Sequence, residues 1–160
     1  MINWLDVRNF VLVEHVSLNF GRGMTVLTGE TGAGKSIIVD ALSILLGDRT
    51  SGDIVRQGSD CAEIQAGFDL SDSPQAAAWL DTQLLSNENG ECSLRRLVLK
   101  GQSSRGFING RPVPIHSLQE LGGLLVDIHS QNEHHLLLRR DTQRVILDSY
   151  ANATDLVEKI

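Results

Sequence analysis

Eight consecutive residues constrain this chain more than any others. Gly29-Glu30-Thr31-Gly32-Ala33-Gly34-Lys35-Ser36 fits the pattern G-x-x-x-x-G-K-[ST]. Glycines let the backbone curl so that several N–H groups converge on one phosphate. A helix starting at Gly34 aims the positive end of its dipole at the same point. The Lys35 ammonium can reach the β- and γ-phosphates, and the Ser36 hydroxyl can hold Mg²⁺. At ordinary glycine frequency, chance gives such a match in a chain this long on the order of a percent of the time or less.

The flanking pattern supplies the context that such a loop needs. Val16, Leu18 and Phe20 alternate with Ser17 and Asn19, which predicts a half-buried strand. Gly21-Arg22-Gly23 predicts a turn, and Met24 to Thr28 a short buried strand running into the loop. From Lys35 to Leu46 the apolar residues Ile37, Ile38, Ala41, Leu42 and Leu45 fall at helical spacing, and Gly47 stands where a glycine cap ends a helix. Strand, loop and helix in that order place the chain in the α/β class.

Farther along, Ala62, Ile64, Ala66, Phe68 and Leu70 alternate with polar residues as in a strand. Ser73-Pro74 predicts a helix start, with the helix running to about Leu85. Residues 92–100 read as a strand, and Asn109-Gly110 as the turn of a hairpin over Phe107 to Val113. His116 to Leu121 reads as one helical turn or two. Leu124-Leu125-Val126 reads as a second buried strand, and the chain is helical from about Asp141 onward.

Composition narrows the class. The chain has 160 residues, 41% hydrophobic and 21% charged, which suits one globular domain with its own core. Aromatics are only 4%, so that core is aliphatic, and Trp4 and Trp79 read as core or interface residues rather than stacking platforms. No apolar run approaches the ~20 residues of a membrane span. Met1 to Phe10 has no apolar segment of the secretory kind. Cys61 and Cys92 form no metal-ligand spacing and read as reduced thiols of a cytosolic protein. The net charge of −6 disfavours a globally basic nucleic-acid binder. Residues 92–119, however, hold Arg95, Arg96, Lys100, Arg105 and Arg111 and no acid. That stretch reads either as DNA-phosphate contacts or as the solvated face of a hairpin.

A phosphate loop needs a carboxylate for Mg²⁺ and a group that orients water. Asp127 after Leu124-Leu125-Val126 resembles a Walker B segment, although Ile128 follows it and no adjacent Glu can act as base. The polar run His129-Ser130-Gln131-Asn132-Glu133-His134-His135 has three readings. It can be a solvated loop, a metal set of His129, Glu133, His134 and His135, or a loop entering the nucleotide site with Gln131. Its spacing fits neither H-E-x-x-H nor a zinc finger.

Several stretches together resemble one family. They are Arg8-Asn9-Phe10-Val11-Leu12-Val13-Glu14, Thr25-Val26-Leu27-Thr28, Asp40-Ala41-Leu42 and Leu45-Leu46-Gly47-Asp48-Arg49. Phe107-Ile108-Asn109-Gly110 and Val126-Asp127-Ile128-His129 with Gln131, Glu133 and His134 add to them. Nearly the whole chain resembles the N-terminal head lobe of the RecN family, bacterial DNA repair ATPases of the SMC/ABC type. The chain departs from that pattern at Ser130, where Gly is usual, and at Asn132 and His135, where His and Gln are usual.

The resemblance implies an α/β P-loop NTPase lobe with an antiparallel β portion. Residues 1–138 would form the lobe, and 139–160 the start of a coiled-coil arm. It implies ATP and Mg²⁺ as ligands, held by Gly29 to Ser36, with Ser36 and Gln131 toward the metal. Gln131 is then the Q-loop glutamine, and Arg56 lies where related heads carry an arginine that approaches the nucleotide. The signature motif, Walker B Asp and catalytic Glu would come from a C-terminal lobe of the same protein, leaving no catalytic residue in these 160. Other implied partners are a second head and, through the full-length protein, DNA; the implied place is the cytoplasm at the nucleoid. The implied role is double-strand break repair and recombination. A half-lobe would also expose apolar surface and self-associate. The alternative is a self-contained P-loop NTPase or kinase with Asp127 as its Walker B residue.

Overall fold

The computed structural model describes residues 1–28, 34–87 and 89–128, together with Leu147 and Tyr150. The chain divides into two units, Met1–Asp127 and Ile128–Ile160. Leu147 and Tyr150 are helical and belong to the second; every element below belongs to the first.

In chain order the elements are β1 (Ile2–Phe10), β2 (Val13–Asn19), α1 (Lys35–Leu45), β3 (Cys61–Asp69), α2 (Pro74–Thr82), β4 (Glu91–Leu99), β5 (Arg105–Ile108), β6 (Arg111–Val113) and α3 (Ile115–Leu125). A single 3-10 turn, Gly52–Ile54, lies between α1 and β3. The six strands form one sheet in the order β2-β1-β3-β4-β5-β6, antiparallel throughout.

Alternation along each strand decides which face is covered. Leu5 and Val7 of β1, Ala62, Ile64, Ala66 and Phe68 of β3, and Leu94 and Val98 of β4 are all buried. Their neighbours in sequence face the other way, where Arg8 donates to Asp6 at 2.9 Å and Arg95 to Glu63 at 2.5 Å. The covered face packs against helices: Ala41, Ile44 and Leu45 of α1, Ala76 and Leu80 of α2, and Leu118 and Leu121 of α3 share the same core. This core is aliphatic, with Phe10 and Phe68 the only aromatic side chains buried in it among the described residues. Trp79 is half-buried against it, while the Trp4 indole lies over Gly67.

The Asn109-Gly110 hairpin forms as expected. Ile108 pairs with Arg111 across a two-residue turn in which Asn109 and Gly110 both have positive φ, 50° and 77°. The Asn109 side chain accepts from the Ser93 N–H at 2.8 Å and donates to the Leu85 carbonyl at 2.7 Å, tying the turn to β4 and to the exit of α2.

Four expectations need correction. Met24–Thr28 is not a strand: it pairs with no strand among the described residues, and Met24 and Val26 are exposed. An apolar run becomes a strand only where neighbours satisfy its backbone. Leu124-Leu125-Val126 is not a strand either. Residues 115–125 form one helix, and Val126 is its extended cap. The one or two turns expected at His116–Leu121 are therefore part of a three-turn helix. α2 stops at Thr82 rather than near Leu85, because Leu84 turns left-handed at φ 58°. The Leu84 N–H then donates to the Asp81 carbonyl at 3.0 Å and the Leu85 N–H to that of Leu80 at 2.8 Å, which closes the helix end. The arm helix expected at 139–160 lies outside the described residues apart from Leu147 and Tyr150. Among the described residues, no helix is long and apolar enough to cross a membrane.

Candidate nucleotide-phosphate site

The site is built on α1. Gly34 precedes it in a left-handed conformation, φ 89° and ψ 4°, which a side chain disfavours. No side-chain hydrogen bond caps the helix there, and its first turn carries no acid. The opening N–H groups are therefore available to an anion, and the dipole favours one. Ser36 is exposed in this first turn. One stripe of the helix, Ile37, Ala41, Ile44 and Leu45, faces the core and fixes the direction in which the N-terminus points. Among the described residues the donor set fits a nucleotide phosphate with its Mg²⁺: a helix N-terminus without a side-chain cap, a serine hydroxyl and no carboxylate in the first turn. Gly29 to Ala33 lie outside the described residues, as does the Lys35 side chain.

The far end of α1 is held more firmly than the sequence suggested. The Asp48 N–H donates to the Ser43 carbonyl at 3.1 Å and the Gly47 N–H to that of Ile44 at 3.0 Å. Gly47 makes this turn at φ 107°, and a Cβ there would collide with Gln119. Gln119 of α3 donates to the Gly47 carbonyl at 2.9 Å. Arg96 of β4 donates through one guanidinium nitrogen to the carbonyls of both Ile44 and Asp48, the latter at 2.7 Å. Its other nitrogens reach the Ser104 hydroxyl at 3.1 and 3.3 Å. Arg96 is 3% exposed, the one charged side chain buried among the described residues. Burial draws the guanidinium below the usual arginine value, and the nearby Asp48 partly opposes that shift; arginine nonetheless stays charged at neutral pH.

Arg96 is the residue whose buried role sequence reasoning missed, and a signal was present. In β4 it takes the inward register between Leu94 and Val98. The basic stretch 92–119 is consequently not one solvated face. Arg95 is paired with Glu63 and stacked 5.2 Å over the Phe107 ring, Arg96 is buried, and Arg111 donates to the Leu84 carbonyl. Lys100 and Arg105 are exposed.

Arg56 follows the 3-10 turn, where its N–H donates to the Asn9 carbonyl at 2.9 Å. Its guanidinium stands 3.5 Å from the Glu14 carboxylate, with part of the side chain open to solvent. Asp127 follows the cap of α3 instead of an apolar strand, which removes the feature that made it resemble a Walker B residue. Gln131 and the other polar residues of 129–135 lie outside the described residues. Cys61 and Cys92 are both free thiols, and burial pushes that of Cys92 up to about 12.

Comparison with known proteins places this geometry. The AAA domain family model matches residues 5–155. The DNA repair protein RecN of Vibrio cholerae is 45% identical over 159 residues, 99% of this chain and 28% of that protein. The chain thus spans little more than a quarter of the length of the RecN relatives it matches. A structure from work on ATP-driven dimerization and DNA-stimulated activation of SMC ATPases superposes with a TM-score of 0.63 at 22% identity, covering 91% of this chain and 90% of the other. The ATP-bound recombination mediator RecF superposes at 0.61 with 15% identity, covering 96% of this chain and 39% of RecF. The chain belongs to the AAA domain family, as an ATP-binding domain homologous to RecN and with the fold of the SMC-type ATPase head.

Proposed function

We propose that this chain is the ATP-binding part of a RecN-type ATPase of the SMC class that acts in DNA double-strand break repair and recombination. One observation carries the reading: the uncapped N-terminus of α1 stands directly behind a G-x-x-x-x-G-K-[ST] loop, with Gly34 left-handed at the junction. The relatives named as DNA repair proteins support the biological setting. In this reading Gly29 to Lys35 wrap the phosphates. Ser36 and Gln131 face the Mg²⁺, and Arg56 approaches the nucleotide from the 3-10 turn.

Hydrolysis belongs to the complete head. A C-terminal lobe supplies the signature motif, the Walker B Asp and the Glu that activates water, and ATP is closed between two such heads. The exposed run Met24–Leu27 supports this division, because among the described residues it pairs with no strand and its apolar side chains are open to solvent. The exposed apolar side chains also support self-association of the isolated chain. The reading places residues 1–138 in the head lobe, 139–160 at the root of a coiled-coil arm, and the protein in the cytoplasm at the nucleoid.

The test is ATP binding and turnover by this chain beside its Lys35→Ala variant. The expected result is tight binding by the parent, loss of at least about 100-fold in affinity in the variant, roughly what losing ~2.7 kcal/mol gives, and no sustained turnover by either. Equal affinities would remove the phosphate site. Sustained Lys35-dependent turnover by the monomer would place the whole catalytic apparatus inside these residues.

A further inference from the structure

The C-terminal end of α1 carries a side-chain clamp that the helix does not need for its own closure. Its capping turn already satisfies two carbonyls through the N–H groups of Gly47 and Asp48. Arg96 nevertheless brings a charged guanidinium into the core from β4 and donates to the carbonyls of Ile44 and Asp48. An apolar side chain at this inward position, like those of Leu94 and Val98, would avoid the desolvation cost. What arginine adds is geometry. Its planar fork fixes the Ile44 carbonyl in the last turn of α1, the Asp48 carbonyl just beyond it and one hydroxyl, Ser104, in the segment joining β4 to β5. Gln119 holds the Gly47 carbonyl from α3, so side chains from two other elements seize the same helix end.

We propose that Arg96 is a positioning residue for nucleotide binding: by clamping the C-terminal end of α1 to β4, it sets where the phosphate-binding N-terminal end of the same helix lies. An eleven-residue helix is a rod of ~16 Å. Its N-terminus lacks a side-chain cap, so the aim of its N–H groups depends on how the rest of the rod is held. A small pivot at the clamped end displaces the first turn, where hydrogen bonds to phosphate require a placement within a fraction of an ångström. This inference rests on the ATP-binding reading and extends it to a residue that touches no ligand.

The position makes a demand that a purely structural role does not. Loss of the clamp weakens phosphate recognition in molecules that remain folded, and weakens it more for ATP than for AMP. General destabilisation lowers the folded fraction and leaves the ratio of the two affinities unchanged. The test uses Arg96→Met and Ser104→Ala in this chain, with Kd for Mg·ATP and for AMP measured well below each variant's Tm. Arg96→Met is expected to weaken ATP about tenfold, the equivalent of ~1.4 kcal/mol, with AMP changed less than about twofold. Ser104→Ala, which removes only the outer contact of the clamp, is expected to shift the ATP-to-AMP ratio about threefold in the same direction, or ~0.65 kcal/mol.

If Arg96→Met does not fold, Ser104→Ala decides the matter alone. Unchanged ATP-to-AMP ratios in the folded variants would overturn the inference and leave the ATP reading standing. Lys35→Ala, run in parallel, separates the two failures. A parent chain with no Lys35-dependent ATP affinity overturns the ATP reading and this inference with it.

Discussion

Ala62, Ile64, Ala66 and Phe68 in β3 are each 1% exposed or less, whereas Met24, Val26 and Leu27 are 92%, 71% and 44% exposed. Both runs read as strands in the sequence. β3 has β1 on one side and β4 on the other, each paired along most of its length. Met24–Thr28 has no strand neighbour among the described residues. Apolarity shows that a segment has somewhere to be buried; it does not say that the burying surface is local. In the reading proposed above, the remainder of a longer head provides that surface for Met24–Leu27. The stability of this chain then rests on the antiparallel sheet and its three helices, and the nucleotide side adds little until it is completed.

The largest effect expected from this comparison comes from a matched pair of truncations. Ile64→Ala opens a cavity at the centre of the sheet and should cost ~2–5 kcal/mol, as buried isoleucine truncations do. Val26→Ala removes a largely exposed side chain and should stay within ~0.5 kcal/mol. Urea denaturation of both variants checks this. A Val26→Ala loss comparable to that of Ile64→Ala would mean that residues 24–28 already pack on something within this chain, and the contrast would collapse.

The parts of the fold that local chemistry fixes were legible. Alternation located β3, residues 92–100 read as the strand that β4 is, Asn109-Gly110 located the hairpin, and the spacing from Ile37 to Leu45 with Gly47 behind it located α1 to within a residue. The misread segments depended on tertiary context. Gly122-Gly123 divides α3 in the sequence because glycine is a poor helix former, which left Leu124-Leu125-Val126 looking like a strand. In the structure Gly122 faces Leu46, and a Cβ there would stand 3.0 Å from that side chain. The glycine serves the approach of α3 to the end of α1. In the site, the phosphate loop was legible because its chemistry is written in consecutive residues. Arg96 was not, because its partners at Ile44 and Asp48 lie some fifty residues away and are backbone atoms. Charge counting placed it in a basic stretch, where only its register in β4 set it apart.

A smaller and opposite effect is expected at the end of α2, on the stable side of the comparison. Leu84 closes that helix in a left-handed conformation, φ 58°, with its side chain largely in solvent. The conformation costs a leucine ~1–2 kcal/mol, and Leu84→Gly removes that cost. Part of the gain is returned as extra freedom of the unfolded chain. The net expectation is a stabilisation of ~0.5–1 kcal/mol, read as a higher urea midpoint with an unchanged slope. A lower midpoint would mean that the Leu84 side chain contributes packing beyond what its exposure suggests, and that the sheet depends on α2 through more than Ala76 and Leu80.

The smallest effect concerns the outer face of the same sheet, where β1 presents Asp6 and Arg8 opposite the buried Leu5 and Val7. The Asp6 carboxylate lies 2.9 Å from the Arg8 guanidinium and 2.7 Å from His15 Nε2. Partial burial pushes its pKa upward, but hydrogen bonds from His15 and Arg8 outweigh that and leave it below the ordinary aspartate value of 3.8. A carboxylate depressed in the folded state adds stability above its unfolded pKa and loses it as the pH falls through the folded one. Wild-type Tm should therefore drop between pH 5 and pH 3 by more than that of Asp6→Asn. The difference should correspond to less than ~1 kcal/mol, because both partners of Asp6 are half in water. It should shrink further in high salt. Superimposable acid limbs for the two proteins would show that this network adds nothing, and that β1 is held by its inner face alone.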